Sequence, residues 1–145
     1  MHHLVKRRAF LGATLGVAAC GGRRTASGFR YFTAAEARTV EAITAQLIPA
    51  DQDAGAREAG VVHYIDLQLV KRFRRHRPAY TQGLAKLDQI ARTRFEHEFA
   101  ALNDAQQVDA LKTLEKDAPE FFGLILGHTR QGFYGDPRHG GNRGR

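Results

Sequence analysis

A chain of 145 residues, 43% of them hydrophobic, has enough apolar volume for one domain with a modest core and too little for two. The net charge of +7 invites anionic partners, but residues 1–19 hold three of the 22 cations and none of the 15 acids, so the remainder, 19 against 15, carries only +4. A single cysteine excludes an internal disulfide, metal motifs built on cysteine pairs and the Cys-x-x-Cys-His haem attachment.

The first twenty residues divide into three parts. Met1 to Arg8 is short and basic, Ala9 to Ala19 is uncharged and rich in small residues, and Cys20-Gly21-Gly22 breaks the run. Eleven helical residues rise only about 16 Å, roughly half of a hydrocarbon core, so the segment reads as a signal and not as a membrane span. Arg7-Arg8, a variable residue, then Phe10-Leu11 resembles the twin-arginine leader pattern, whose route carries folded cargo. Val17-Ala18-Ala19 before the lone Cys20 resembles a lipobox and points to lipid attachment at that cysteine. Stable anchoring would take the several acyl chains of a bacterial lipoprotein. The divisions expected are a signal at 1–19, a linker at 20–32 and a folded domain at 33–145.

Helical patterning starts after the linker. Thr33 and Glu36 form a capping box ahead of Val40, Ile43 and Leu47, and Pro49 stops that helix near Ile48. Residues 50–60 read as a loop. A second helix is predicted from Val61 to Arg75 on the stripe Val62, Ile65, Leu69, Phe73. Pro78 suits the first turn of a third helix with Tyr80, Leu84, Leu87 and Ala91 on one face. Residues 94–102 have no firm pattern. Asn103 and Gln106 make another capping box before Val108, Leu111 and Leu114, and Pro119 opens a last helix bearing Phe122, Ile125, Leu126 and Thr129. From Gly132 on, glycine and proline predict that the helix stops. No stretch alternates with period two. The predicted fold is all-α: a small irregular bundle of about five helices with a Gly/Pro-rich C-terminal loop.

That loop combines turn-forming glycines and Asp136-Pro137 with the aromatic pair Phe133-Tyr134. The pair reads either as a partner-binding anchor or as a cap on the chain's own core. Phe121-Phe122, His128-Thr129, Gln131-Gly132-Phe133-Tyr134-Gly135-Asp136-Pro137 and Gly140-Gly141-Asn142 together resemble the gluconate 2-dehydrogenase subunit 3 family. So do Leu47-Ile48-Pro49-Ala50-Asp51 with Ala59-Gly60, Gly83-Leu84 with Leu87-Asp88, and Phe99, Ala101, Leu102, Asn103 and Gln106.

The resemblance implies a small exported subunit of a periplasmic dehydrogenase complex. It implies as partners a large subunit holding FAD, possible electron transfer to a cytochrome c subunit with haem c, and the twin-arginine translocase. The implied role is maturation and co-export or anchoring of the large subunit. It also places the partner interface at Phe133, Tyr134, Asp136, Pro137, Gly140, Gly141 and Asn142. The family pattern usually runs on to a tryptophan and a Gly-Tyr-Pro-Gly-like end. This chain has no Trp, which implies a truncated, frameshifted or shortened member.

Catalysis by the chain itself is not expected. No Gly-x-Gly-x-x-Gly fingerprint follows a strand, and the only serine, Ser27, lies in the linker. No catalytic, cofactor-binding or metal residue is assigned. His63 with Asp66, and His128 with Asp136 and His139, match no known ligand spacing. Lys71-Arg72-Phe73-Arg74-Arg75-His76-Arg77 is the strongest basic run. It reads as a solvated helix end complementing the dipole, as a lipid or phosphate contact, or as a dock for an acidic partner. Export argues against nucleic acid. The competing whole-chain readings are a free-standing periplasmic lipoprotein binding module and a metal-dependent enzyme.

Overall fold

The computed structural model describes residues 28–135 and residue 138. The leader residues Arg7, Arg8, Phe10 and Leu11, the cysteine Cys20, and Asp136, Pro137, Gly140, Gly141 and Asn142 lie outside the described residues. Five α-helices follow in order: α1 Ala34–Leu47, α2 Val61–Leu69, α3 Arg77–Phe95, α4 Asp104–Asp117 and α5 Pro119–Tyr134. Short 3-10 turns occupy Arg74–His76 and Phe99–Ala101, and no strand occurs among the described residues. The fold is an all-α bundle.

Local chemistry sets most boundaries. Thr33 and Glu36 exchange both capping-box hydrogen bonds at α1, and Asn103 and Gln106 do the same at α4. Ile48 precedes Pro49 and leaves the helical region at φ −133°. Ala118 precedes Pro119, sits at φ −141°, and alone joins α4 to α5 in a sharp corner. The loop after α1 folds back so that Ala56 N–H donates to the Ile48 carbonyl at 2.9 Å. Gly55 makes that return possible, because a Cβ there would lie 2.7 Å from the Ile48 oxygen. Gly60 then enters α2 from the left-handed region at φ +69°.

Three boundaries differ from the periodicity. The predicted helix 61–75 ends at Leu69. Val70 and Lys71 bond three residues back, and Phe73 N–H bonds five back to the Gln68 carbonyl at 2.8 Å. This tight turn lets Phe73 face the core while its cationic neighbours face water. Four cations within five residues would also repel along a continued helix. The patternless stretch 94–102 extends α3 to Phe95, breaks at Glu96 (φ +62°) and buries Phe99. The last helix runs two residues past Gly132, to Tyr134.

All five helices feed one apolar cluster. Its fully enclosed members include Phe32, Ile43, Ile65, Leu69, Tyr80, Leu87, Phe99, Leu114 and Ile125. Two faces are rotated from expectation. On α4, Val108 is exposed and Gln107 is buried, because the Gln107 amide bonds the Gln46 amide at 2.9 Å and the Phe99 carbonyl at 3.2 Å. On α5, Phe121 and His128 point inward, while Phe122 and Leu126 are half-buried.

Candidate functional site

Buried polar groups separate structural from available chemistry. Asp66 is buried on α2. Its carboxylate accepts three backbone N–H bonds, from Arg30 at 2.7 Å, Tyr31 at 2.8 Å and Phe32 at 2.9 Å. These bonds join the segment before α1 to the bundle and satisfy a charge that would otherwise be costly to bury. His63 shares this face but is exposed and stacks on Phe29, ring centroids 4.9 Å apart. Among the described residues, no group of three His, Cys, Asp or Glu is placed to hold a metal ion.

A second polar pair lies where α3 meets α5. Tyr80 and His128 are both buried, with the Tyr80 hydroxyl 2.8 Å from His128 Nδ1. Burial pushes the Tyr80 phenol well up, so it stays protonated. Burial, with His76 and Arg75 adding repulsion, pulls His128 down to about 4. His128 is therefore neutral at pH 7, and its Nδ1 shares a hydrogen bond with the Tyr80 hydroxyl. Phe73 stacks on its ring at 3.9 Å, and His76 meets it edge-on at 5.4 Å. The pair is held within the core. The sequence pattern put Phe122, Ile125, Leu126 and Thr129 on the inner face of α5, so neither the burial of His128 nor its Tyr80 partner, 48 residues away, was foreseen.

The aromatic pair at the end of α5 splits. Phe133 is 6% exposed and joins the core, whereas Tyr134 is 72% exposed, with its ring edge-on to Phe133 at 4.9 Å. Tyr134 and Val108 are the large apolar residues left exposed among the described ones.

A concave surface runs between α3 and the first half of α5 among the described residues, with a volume of about 650 Å³. Ala79, Gly83, Phe121 and Leu124 form its floor. One end is closed by Lys86 and Asp117, 3.7 Å apart. The other end opens at His76, whose Nε2 accepts from Arg75 Nε at 3.2 Å. The groove thus ends beneath the basic turn. Arg77 in that turn is committed to the fold, bonding the Leu69 carbonyl at 2.7 Å and lying 5.2 Å from the Tyr31 ring centre. Lys71, Arg72, Arg74 and Arg75 are exposed. No helix among the described residues is long and apolar enough to cross a membrane.

Residues 34–145 match the family described as gluconate 2-dehydrogenase subunit 3. The chain is also similar to the FAD assembly factor SdhE of Vibrio parahaemolyticus serotype O3:K6 (strain RIMD 2210633), at 38% identity over 52 residues. That likeness covers 36% of this chain and 60% of the assembly factor, less than two thirds of its length. No solved structure matches the chain. With the family pattern spanning well over half of the sequence and the whole helical bundle from α1 to α5, the chain belongs to the gluconate 2-dehydrogenase subunit 3 family.

Proposed function

We propose that this chain is a non-catalytic small subunit of a membrane-associated, gluconate 2-dehydrogenase-like complex, and that it assists maturation and co-export or anchoring of an FAD-dependent large subunit. The observation that carries this reading is the family match across residues 34–145. The likeness to an FAD assembly factor favours a part in flavoprotein maturation. The buried polar side chains support it too. Asp66, Tyr80, Gln107 and His128 hold the bundle together, so they are occupied by the fold and not offered to a substrate.

In this reading FAD belongs to the large subunit and haem c to a third. Arg7 and Arg8, with Phe10 and Leu11, direct the folded pair to the twin-arginine translocase, and Cys20 carries a lipid at the periplasmic face. Tyr134 and the following Asp136-Pro137 and Gly140-Gly141-Asn142 add to the partner surface.

The test is co-expression with the large flavoprotein subunit, with wild type compared against Arg7→Lys/Arg8→Lys, followed by fractionation and a dye-linked gluconate dehydrogenase assay. The expected result is periplasmic activity with wild type and at least a tenfold loss with the double variant (about 1.4 kcal/mol or more if read as an equilibrium). Full export and activity of the large subunit without this chain would remove the escort role.

A further inference from the structure

We propose that the groove between α3 and α5, together with the basic turn at its open end, is the dock for an acidic segment of the large subunit, one that carries an apolar anchor. This rests on the accessory-subunit reading above and adds where, and by what chemistry, the two chains meet.

The argument begins with charge. Residues 28–135 carry 14 Lys and Arg against 14 Asp and Glu, so this helical stretch is neutral as a whole. Five of those cations, Lys71, Arg72, Arg74, Arg75 and Arg77, fall within one stretch of seven residues. The four exposed ones have no carboxylate partner among the described residues, where the ion pairs are Arg57–Glu41, Lys86–Asp117, Arg92–Glu98 and Arg94–Asp109. The turn that replaces the end of α2 concentrates them, because it sends Phe73 inward and its neighbours outward. Other exposed cations, such as Arg38 and Arg130, stand singly, so this corner holds the densest positive charge of the described residues, and such a corner attracts an acidic surface and orients it.

The groove supplies the second half. From His76 to Lys86 its α3 wall is about 15 Å long. Its floor is apolar at Ala79, Gly83, Phe121 and Leu124. Its two ends differ in sign. Asp117 and Glu120 line the end at Lys86, while Arg75 bonds His76 at the other. An occupant with an apolar middle and an acidic end fits in one direction, acid toward the basic turn. The same features disfavour a lipid surface. A flat bilayer does not reach a concave floor, and basic membrane-docking surfaces pair their charges with protruding apolar side chains. Here the apolar residue within the basic run, Phe73, is buried, and the exposed large apolar residues, Val108 and Tyr134, lie on α4 and at the end of α5.

The experiment measures binding of the full chain to purified large subunit at 50 and 300 mM salt. Arg74→Glu/Arg75→Glu reverses the turn, Ala79→Leu fills the groove, and Lys112→Glu/Lys116→Glu on the exposed face of α4 is the control. Thermal unfolding verifies that each variant is folded. We expect wild-type affinity to fall with salt and the turn variant to bind about tenfold more weakly with a flatter salt dependence. Ala79→Leu should weaken binding at both salt concentrations, and the control should match wild type. Wild-type binding that every variant retains overturns this inference and leaves the accessory-subunit reading standing. Loss confined to the turn variant also overturns it, since the groove would then be empty in the complex. Failure of wild type to bind the large subunit at all removes both. Retained protein binding by the turn variant, with lost flotation on phosphatidylglycerol vesicles, reassigns the cations to lipid and overturns the inference.

Discussion

His128 shows what burial does to one titratable side chain. Its ring is enclosed by Phe73 and Tyr80, and Arg75 and His76 stand close enough to repel a proton. Its folded value of about 4 lies below the ordinary 6.5. Between those values the unfolded chain binds the proton and the folded chain does not, so stability rises with pH through this window. Above pH 6.5 the contribution is complete; as pH falls through 4 up to about 3 kcal/mol is lost. Urea unfolding measured from pH 4 to 7.5 should show this slope, and His128→Gln should flatten it. An equal slope in the variant would mean that other groups carry the pH dependence. The sequence pattern placed the residue in the last helix but left it off the inner face. Its neutrality was not legible either, because desolvation depends on Tyr80 and Phe73, which arrive from other parts of the chain.

At the scale of elements, glycines decide how closely the helices approach. A Cβ at Gly83 would overlap three carbons of the Phe121 ring, and one at Gly132 would lie 2.7 Å from Tyr64 Cδ1. Gly123 and Gly127 on α5 would meet nothing within 4 Å. All four sit in helices, where alanine is intrinsically favoured by about 1 kcal/mol. Gly123→Ala and Gly127→Ala should therefore each stabilise by about 0.5–1 kcal/mol. Gly83→Ala should destabilise by about 1–3 kcal/mol, because α3 and α5 must separate and the core is overpacked. Chemical denaturation of the three variants checks this, and stabilisation by Gly83→Ala would show that the α3–α5 contact is looser than described. Helix starts were readable from the sequence because caps and prolines act locally, at Thr33, Asn103 and Pro119. The end of α2 was not, because Phe73 keeps helical spacing from Leu69 whether the chain continues as a helix or turns.

At the scale of the whole molecule, Asp66 closes the fold. It joins residues 30–32 to α2 across 34 to 36 positions of sequence and seats Phe32 in the core. Removing the carboxylate leaves three backbone N–H groups without their acceptor. Asp66→Ala should lower stability by on the order of 3 kcal/mol, and Asp66→Asn by somewhat less, since an amide retains one acceptor oxygen and turns a donor toward a donor. Unfolding followed by circular dichroism measures both, and hydrogen exchange at Arg30, Tyr31 and Phe32 should speed up in each. Unchanged stability in Asp66→Ala would mean that water replaces the carboxylate at no net cost.

The sequence alone determined the all-α class, the caps that open α1 and α4, the prolines that separate the helices, and the motifs that carry the family. Each of these depends on residues within a few positions of one another, where backbone sterics and local hydrogen bonds act regardless of the rest of the chain. Tertiary structure alone decided that Asp66 holds a distant segment, that Gln107 and not Val108 faces inward, and that Phe133 is buried while Tyr134 is exposed. It also placed the groove between α3 and α5 against the basic turn. Those outcomes depend on which buried polar group finds a partner and which surface is left uncovered, and both are settled only when helices remote in sequence pack together.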